Sequence, residues 1–221
     1  MTQQEVNQYT YDFPTRENIA KMAEVPSQLL QVAKIPKKFW GMTLEDYSFK
    51  GKLAVEKILN AYVDNFFTMM EDACNLLIMG SNGTGKTMLA SIILQEALKR
   101  YYSGYYITIS EFITQKFNSI DLTELTNCDI LVLDELGAEL QLKTHSEVVA
   151  IESLLKYREE KNLVTIVCTN LDKNELSERY GNTVFSLLDS WVGLVVVGTD
   201  KRKEMARKTQ ARQLLSNAVE G

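Results

Sequence analysis

The chain has 221 residues, enough for one sizeable α/β domain with little left over for a second. Apolar residues make up 45% and charged residues 24%, an ordinary globular balance, and a formal net charge of −5 argues against a protein that coats nucleic acid through bulk charge. No apolar run approaches membrane-spanning length and the polar start "MTQQEVNQYTYDF" lacks a signal-peptide core, so the expectation is a cytoplasmic protein with no membrane partner.

Residues 1–50 hold all three prolines, Pro14, Pro26 and Pro36. They interrupt any helix longer than about ten residues, and this stretch reads as a short segment suited to partner docking. "SQLLQVAK" predicts a short amphipathic helix capped by Ser27. "KLAVEKILNAYVDNFFTMM" sets Val55, Ile58, Leu59, Tyr62, Phe66 and Met69 at helical spacing. Strands and helices then alternate through a core expected over 51–203. Strands are predicted at 75–79, 104–109, 129–134, 162–169 and 193–198, with helices near 85–100, 110–118, 145–161 and 172–190. Ile130 to Leu133 and Leu163 to Val167 are almost continuously apolar, as in strands covered on both faces. The alternation implies a parallel sheet flanked by helices. A basic helix or tail is expected over 204–221. Cys74, Cys128 and Cys168 fall at or inside predicted strands, without metal-like spacing, and read as reduced core cysteines.

The richest stretch is "LIMGSNGTGKTMLAS", Leu77 to Ser91. An apolar strand runs into Gly80, Ser81, Asn82, Gly83, Thr84, Gly85, Lys86 and Thr87, and then into an apolar helix. This meets G-x-x-x-x-G-K-[ST] at every fixed position. Glycines let the backbone curl so that its N–H groups converge on phosphate oxygens, and the helix start adds its positive end. Lys86 is placed to reach the β- and γ-phosphates, and Thr87 to offer its hydroxyl to Mg²⁺. The expected ligands are ATP and Mg²⁺.

Downstream, "CDILVLDELG" ends an apolar strand on Asp134 and Glu135. A carboxylate at that strand end can hold the water shell of Mg²⁺ opposite Thr87, and its neighbour can polarise an attacking water. "VTIVCTN" closes the next strand on Thr169 and Asn170, where an amide can orient that water beside the γ-phosphate. Lys86, Asp134, Glu135 and Asn170 are therefore the expected catalytic set. Adjacent acids favour hydrolysis over transfer to a small acceptor, which leaves a small-molecule kinase as a minor alternative.

These motifs, with "IPKKFWGMTLEDYS" upstream and "VVVGTDKR" downstream, resemble the AAA+ ATPases of the bacterial helicase-loader group. That group includes DnaC- and DnaI-type loaders and IstB-like transposition helpers. The resemblance covers roughly residues 35–203. It implies a P-loop AAA+ core with strand order 5-1-4-3-2 and no large helical lid. It also implies self-association, single-stranded DNA binding and docking onto a replicative DNA helicase. The function it implies is loading of that helicase during replication. An IstB-like transposition role is the first alternative. An ATP-binding adaptor or inhibitor of a host loader, with little hydrolysis, is the second.

Two features depart from the group. Its members carry two arginines after a Tyr-Gly-like turn, whereas "ERYGNTVFSLLDS" places Thr183 and Leu187 there. Arg179 and Arg202 remain as candidates for the arginine sensor or finger. The group's sizeable N-terminal helicase-binding domain is replaced by at most fifty residues, which suggests a short phage or mobile-element version. Hydrolysis is accordingly expected to be slow until a partner, the helicase or a host loader subunit, completes the site. In "FITQKFN" the resemblance marks Lys116 and Phe117 as DNA-binding candidates, one for phosphate and one for base stacking. Core packing is the alternative for Phe117. "KRKEMARKTQAR" (201–212) carries six basic residues, to meet DNA phosphates or to form a solvated helix face. The single histidine, His145, reads as a surface residue at a helix start, and Trp40 and Trp191 as packing residues.

Overall fold

The computed structural model describes residues 21–49, 52–137 and 145–198. Helix α1 (Ser27–Val32) precedes α2 (Leu53–Asp64) and α3 (Phe66–Glu71). The alternating part follows as β1 (Leu76–Met79), α4 (Lys86–Lys99), β2 (Gly104–Thr108), α5 (Ile109–Phe117) and α6 (Thr123–Asn127). It closes with β3 (Ile130–Leu136), α7 (His145–Glu160), β4 (Val164–Thr169), α8 (Lys173–Asp189) and β5 (Val192–Val195).

The five strands form one parallel sheet in the order β2-β3-β4-β1-β5. Read from the other edge, this is the expected order 5-1-4-3-2. Every residue of β4 is buried, as its nearly continuous apolar run requires of an interior strand. Edge strand β5 instead leaves Val192 and Val195 exposed. Every residue of α4 from Met88 to Leu98 is buried, because the helix lies between the sheet and the N-terminal segment. One apolar layer joins Leu30, Ile35, Phe39, Leu59 and Leu89 to one sheet face. The other packs Phe112, Leu125, Ile151, Leu155 and Leu188 against the opposite face. Leu30, Ile35, Phe39 and Tyr47 are thus buried in the same core as the sheet.

Several local expectations need correction. Ser27 does not cap α1. The carbonyl of Pro26 already accepts from the N–H groups of Leu29 and Leu30, so the helix begins one residue earlier, and the Ser27 hydroxyl turns to the Gln28 side chain. The helical pattern over 53–71 is divided at Asn65, whose side-chain amide donates to the Ala61 carbonyl at 2.8 Å and competes with the helical ladder. Helix α8 is kinked at Gly181, whose φ of 77° is left-handed. Helix α6 is too short to show a period. It follows a turn in which Asp121 accepts from the Thr123 N–H.

Arg158, on α7, is fully buried. Its guanidinium donates to the carbonyls of Thr126, Cys128 and Val164 at 3.0, 3.0 and 2.6 Å, and to the Thr165 hydroxyl at 3.0 Å. It binds the turn before β3 to the start of β4. Burial pulls its pKa below the ordinary arginine value. Among the described residues no helix is long and apolar enough to cross a membrane.

Candidate nucleotide site

The C-terminal ends of parallel strands form the place where an α/β sheet binds ligands. Here β1 leads into the glycine loop. Gly80 has φ 154°, and a Cβ on it would stand 2.2 Å from the Val196 carbonyl oxygen, so the backbone just past edge strand β5 leaves room only for glycine. Gly85 caps α4 with φ 98°, and a Cβ there would press on the Tyr47 ring at 2.7 Å. The Lys86 ammonium donates to the carbonyls of Gly80 and Ser81 at 2.7 and 3.0 Å, which holds its stem across the loop. Thr84 is buried, and its hydroxyl donates to the Ser81 carbonyl.

Asp134 is only 2% exposed. Its Oδ1 accepts from the Glu135 backbone N–H at 2.8 Å, and its Oδ2 from the Tyr106 hydroxyl at 2.7 Å. The β3–β4 register slips between Leu133 and Leu136. At the slip Glu135 takes φ 61°, a left-handed conformation uncommon for non-glycine residues, and becomes exposed. Regular pleating puts successive side chains on opposite faces; the bulge instead brings Asp134 and Glu135 to the same cleft. Two neighbours hold this turn. The Thr169 hydroxyl donates to the Leu136 carbonyl at 2.7 Å, and the Arg179 guanidinium donates to the Gly137 carbonyl at 2.8 Å.

Asn82, Gly83, Gly85, Lys86 and Thr87 line the same cleft as Asp134, Glu135 and Asn170. The arrangement suits a polyphosphate. The loop leads into the start of a fourteen-residue helix beside one ammonium, and the Thr87 hydroxyl and Asp134 carboxylate are hard oxygen donors of the kind Mg²⁺ takes beside phosphate.

Residues 12–192 match the model of the family described as IstB-like ATP-binding proteins. The chain belongs to the IstB-like ATP-binding family. This chain is 23% identical over 179 residues to the replicative helicase loader DnaI of Bacillus subtilis (strain 168), covering 77% of this chain and 57% of DnaI. It is 29% identical over 119 residues to the replicative helicase loader DnaC of Escherichia coli (strain K12), 50% of this chain and 48% of DnaC. An ATP-binding protein of insertion sequence IS5376 from Geobacillus stearothermophilus is 25% identical over 179 residues, 77% of this chain and 68% of that protein. The chain therefore spans about half the length of the helicase loaders it matches. A crystal structure of the DnaC helicase loader superposes with a TM-score of 0.64 at 26% identity, over 73% of this chain and 100% of that one. The fold is that of the P-loop AAA+ ATPases.

The IstB-like cleft includes residues that the motifs did not reveal. Pro36, Lys38 and Phe39 form one wall. The Gln95 side chain secures that wall from α4, accepting from the Gly41 N–H at 2.8 Å and donating to the Phe39 carbonyl at 3.0 Å. The Tyr47 hydroxyl donates to the Thr84 carbonyl at 2.9 Å, and the Lys52 ammonium donates to that hydroxyl at 3.1 Å. Burial pushes the Tyr47 pKa up to about 12, so the phenol stays a donor at neutral pH. Tyr106 is shifted upward too, by burial and then by the Asp134 charge. Burial also lifts the Cys168 thiol well above its ordinary value, reinforced by Asp134. The "IPKKF" and "TLEDY" segments were visible in the sequence, but their contacts with the loop arise only from the tertiary fold.

The remaining candidates fall elsewhere. Phe117, at the end of α5, is 54% exposed and so is not a core residue, and Lys116 beside it is exposed. Neither lines the cleft. Thr183 is exposed, while Leu187 packs in part against the second apolar layer. Trp191 is buried, and Trp40 donates to the Ile35 carbonyl at 2.8 Å. Cys128 and Cys168 are buried free thiols, and Cys74 is a half-buried one. Arg202, the basic run 201–212 and the His145 side chain lie outside the described residues. A larger cavity of about 600 Å³ lies at the other end of the sheet, bordered by Leu29, Val32, Leu98, Tyr101 and Tyr105. Its apolar lining offers no phosphate chemistry.

Proposed function

We propose that this IstB-like protein is an ATPase that loads a replicative DNA helicase onto single-stranded DNA. The observation that carries the ATPase reading is the convergence of Lys86, Thr87, Asp134, Glu135 and Asn170 on one cleft. Similarity to two proteins named replicative helicase loaders supplies the biological half. Lys86 binds the β- and γ-phosphates, and loop N–H groups neutralise the rest. Thr87 and Asp134 would hold Mg²⁺, which would neutralise phosphate charge there. Glu135, exposed at the bulge, takes a proton from the attacking water, and Asn170 orients that water. Glu135→Gln keeps shape and hydrogen bonding but removes the base, so it should bind ATP normally and lose turnover. Equal kcat in the two proteins removes Glu135 from that role.

Lys116 and Phe117 supply a phosphate contact and a stacking surface for the strand. Fluorescence anisotropy with a labelled oligonucleotide should show ATP-stimulated, salt-sensitive binding. No binding at low salt, with or without ATP, overturns the DNA assignment.

Transposition is the second reading, favoured by a specific observation: the match to the IS5376 protein covers as much of this chain as the match to DnaI. Affinity capture with ATP and with ADP separates the two, since a helicase and a transposase are distinct partners. Thr183 and Leu187 carry no charge to offer a neighbour's γ-phosphate. Turnover by the isolated protein is therefore slow, and a helicase or host loader subunit completes the site. Purified protein whose turnover is unaffected by either partner counts against this.

A further inference from the structure

Two donors of different kinds hold the two oxygens of the buried Asp134 carboxylate, and the buried Cys168 thiol lies against it as well. The Glu135 N–H belongs to the next residue and comes with the bulge. The Tyr106 hydroxyl comes from a different strand. Tyr106 pairs with Val132, and Thr108 with Asp134, in the parallel β2–β3 ladder. Strand side chains repeat with period two, so Tyr106 and Asp134 stand on one face as diagonal neighbours, a separation that only a long side chain spans.

Tyr106 is anchored at both ends. Its backbone N–H donates to the Ala33 carbonyl at 2.8 Å, its ring is buried in the first apolar layer, and its side chain borders the nucleotide cleft. A phenol held in this way has little freedom to withdraw its proton from Oδ2. A carboxylate has about four acceptor sites, and these two bonds occupy one on each oxygen. The lone pairs that neither these donors nor the Cys168 thiol use are left for waters or a metal, with the carboxylate rotation already fixed.

We infer that Tyr106 is a positioning residue for Mg²⁺: its hydroxyl locks the Asp134 carboxylate in the orientation that receives the metal. This rests on the reading of Thr87 and Asp134 as the Mg²⁺-holding pair. In this role Tyr106 acts through Asp134.

The test is ATP titration of the full chain, once with Mg²⁺ and once with EDTA. The parent should bind more tightly with Mg²⁺. Tyr106→Phe keeps the ring and removes only the hydroxyl, so its affinity in EDTA should stay within about twofold of the parent. Its gain from Mg²⁺ should fall by about tenfold or more, the range for losing a hydrogen bond to a charged group. Adding Tyr106→Phe to Asp134→Asn should cost little further Mg²⁺ gain, because the group being oriented has already lost its charge. A pure packing role predicts equal weakening in Mg²⁺ and EDTA, and that outcome overturns the inference. So does a Mg²⁺ gain that is unchanged or larger in Tyr106→Phe, or full additivity in the double variant. A parent with no Mg²⁺ gain at all removes the metal from Asp134 and overturns the inference together with the reading beneath it.

Discussion

The two ends of β3 are both fastened by an arginine, in opposite surroundings. At the first end Arg158 is fully buried and donates to carbonyls on both sides of the strand start. The backbone there is regular, and Ile130 to Leu133 keep register with Val164 to Val167. At the far end Arg179 is half-buried and donates to the Gly137 carbonyl. There the register slips, Glu135 is left-handed, and Gly137 has φ 96°. Irregular backbone is sustained where neighbours over-determine it, and it gathers where side chains must face a ligand. The quiet end makes the strand, and the bent end uses it.

The largest break in this comparison is Arg158→Leu. It strips donors from several buried carbonyls at once and should destabilise the fold by about 4 kcal/mol in urea denaturation. A loss below about 1 kcal/mol would make the guanidinium a passenger. Lys86→Ala acts at the bent end and should do the reverse. ATP affinity should fall roughly a hundredfold, about 2.7 kcal/mol, with little change in stability. Unchanged affinity in a calorimetric titration ends the phosphate-loop assignment.

Arg179→Ala is expected to cost about 1 kcal/mol of stability, the worth of an ordinary hydrogen bond. Here the comparison can be sharpened. If turnover per molecule rises with the protein's own concentration, and Arg179→Ala abolishes the rise, Arg179 serves a neighbour's ATP and is more than a fastener of the Gly137 turn. The smallest effect is Glu135→Gly, which relieves the left-handed strain and should raise stability by about 0.5–1 kcal/mol while turnover is lost. A less stable variant would mean that the Glu135 side chain makes compensating contacts.

Much of this division was readable in the sequence, for a physical reason. The phosphate loop is contiguous, so its chemistry appears in eight successive residues, and the parallel strands announce themselves as apolar runs. Asp134 and Glu135 sit at the end of such a run, where a sheet presents its ligand site. Arg158 gave no signal, because one basic residue in a helix looks like solvated surface until its acceptors, 30 or more residues away in the chain for Thr126 and Cys128, are folded around it. Tyr106 was hidden in "YYSGYY" for the same reason. The clasp by Gln95 and the break at Asn65 depend on side-chain amides choosing backbone partners, which apolar periodicity does not encode.

Strand β1 carries the phosphate loop, yet both its partners come late in the chain. It pairs with β4 at Leu76↔Ile166 and with β5 at Leu76↔Val192, and the Val196 N–H donates to the Met79 carbonyl just before the loop. Synthesis runs from the N-terminus, and contacts this distant in sequence form slowly. On the ribosome the loop is made early but gains its walls last. A nascent chain halted before residue 192 carries every residue of the phosphate motif without the flank that shapes Gly80. The cleft around Gly80 is therefore complete only once β5 has paired with β1.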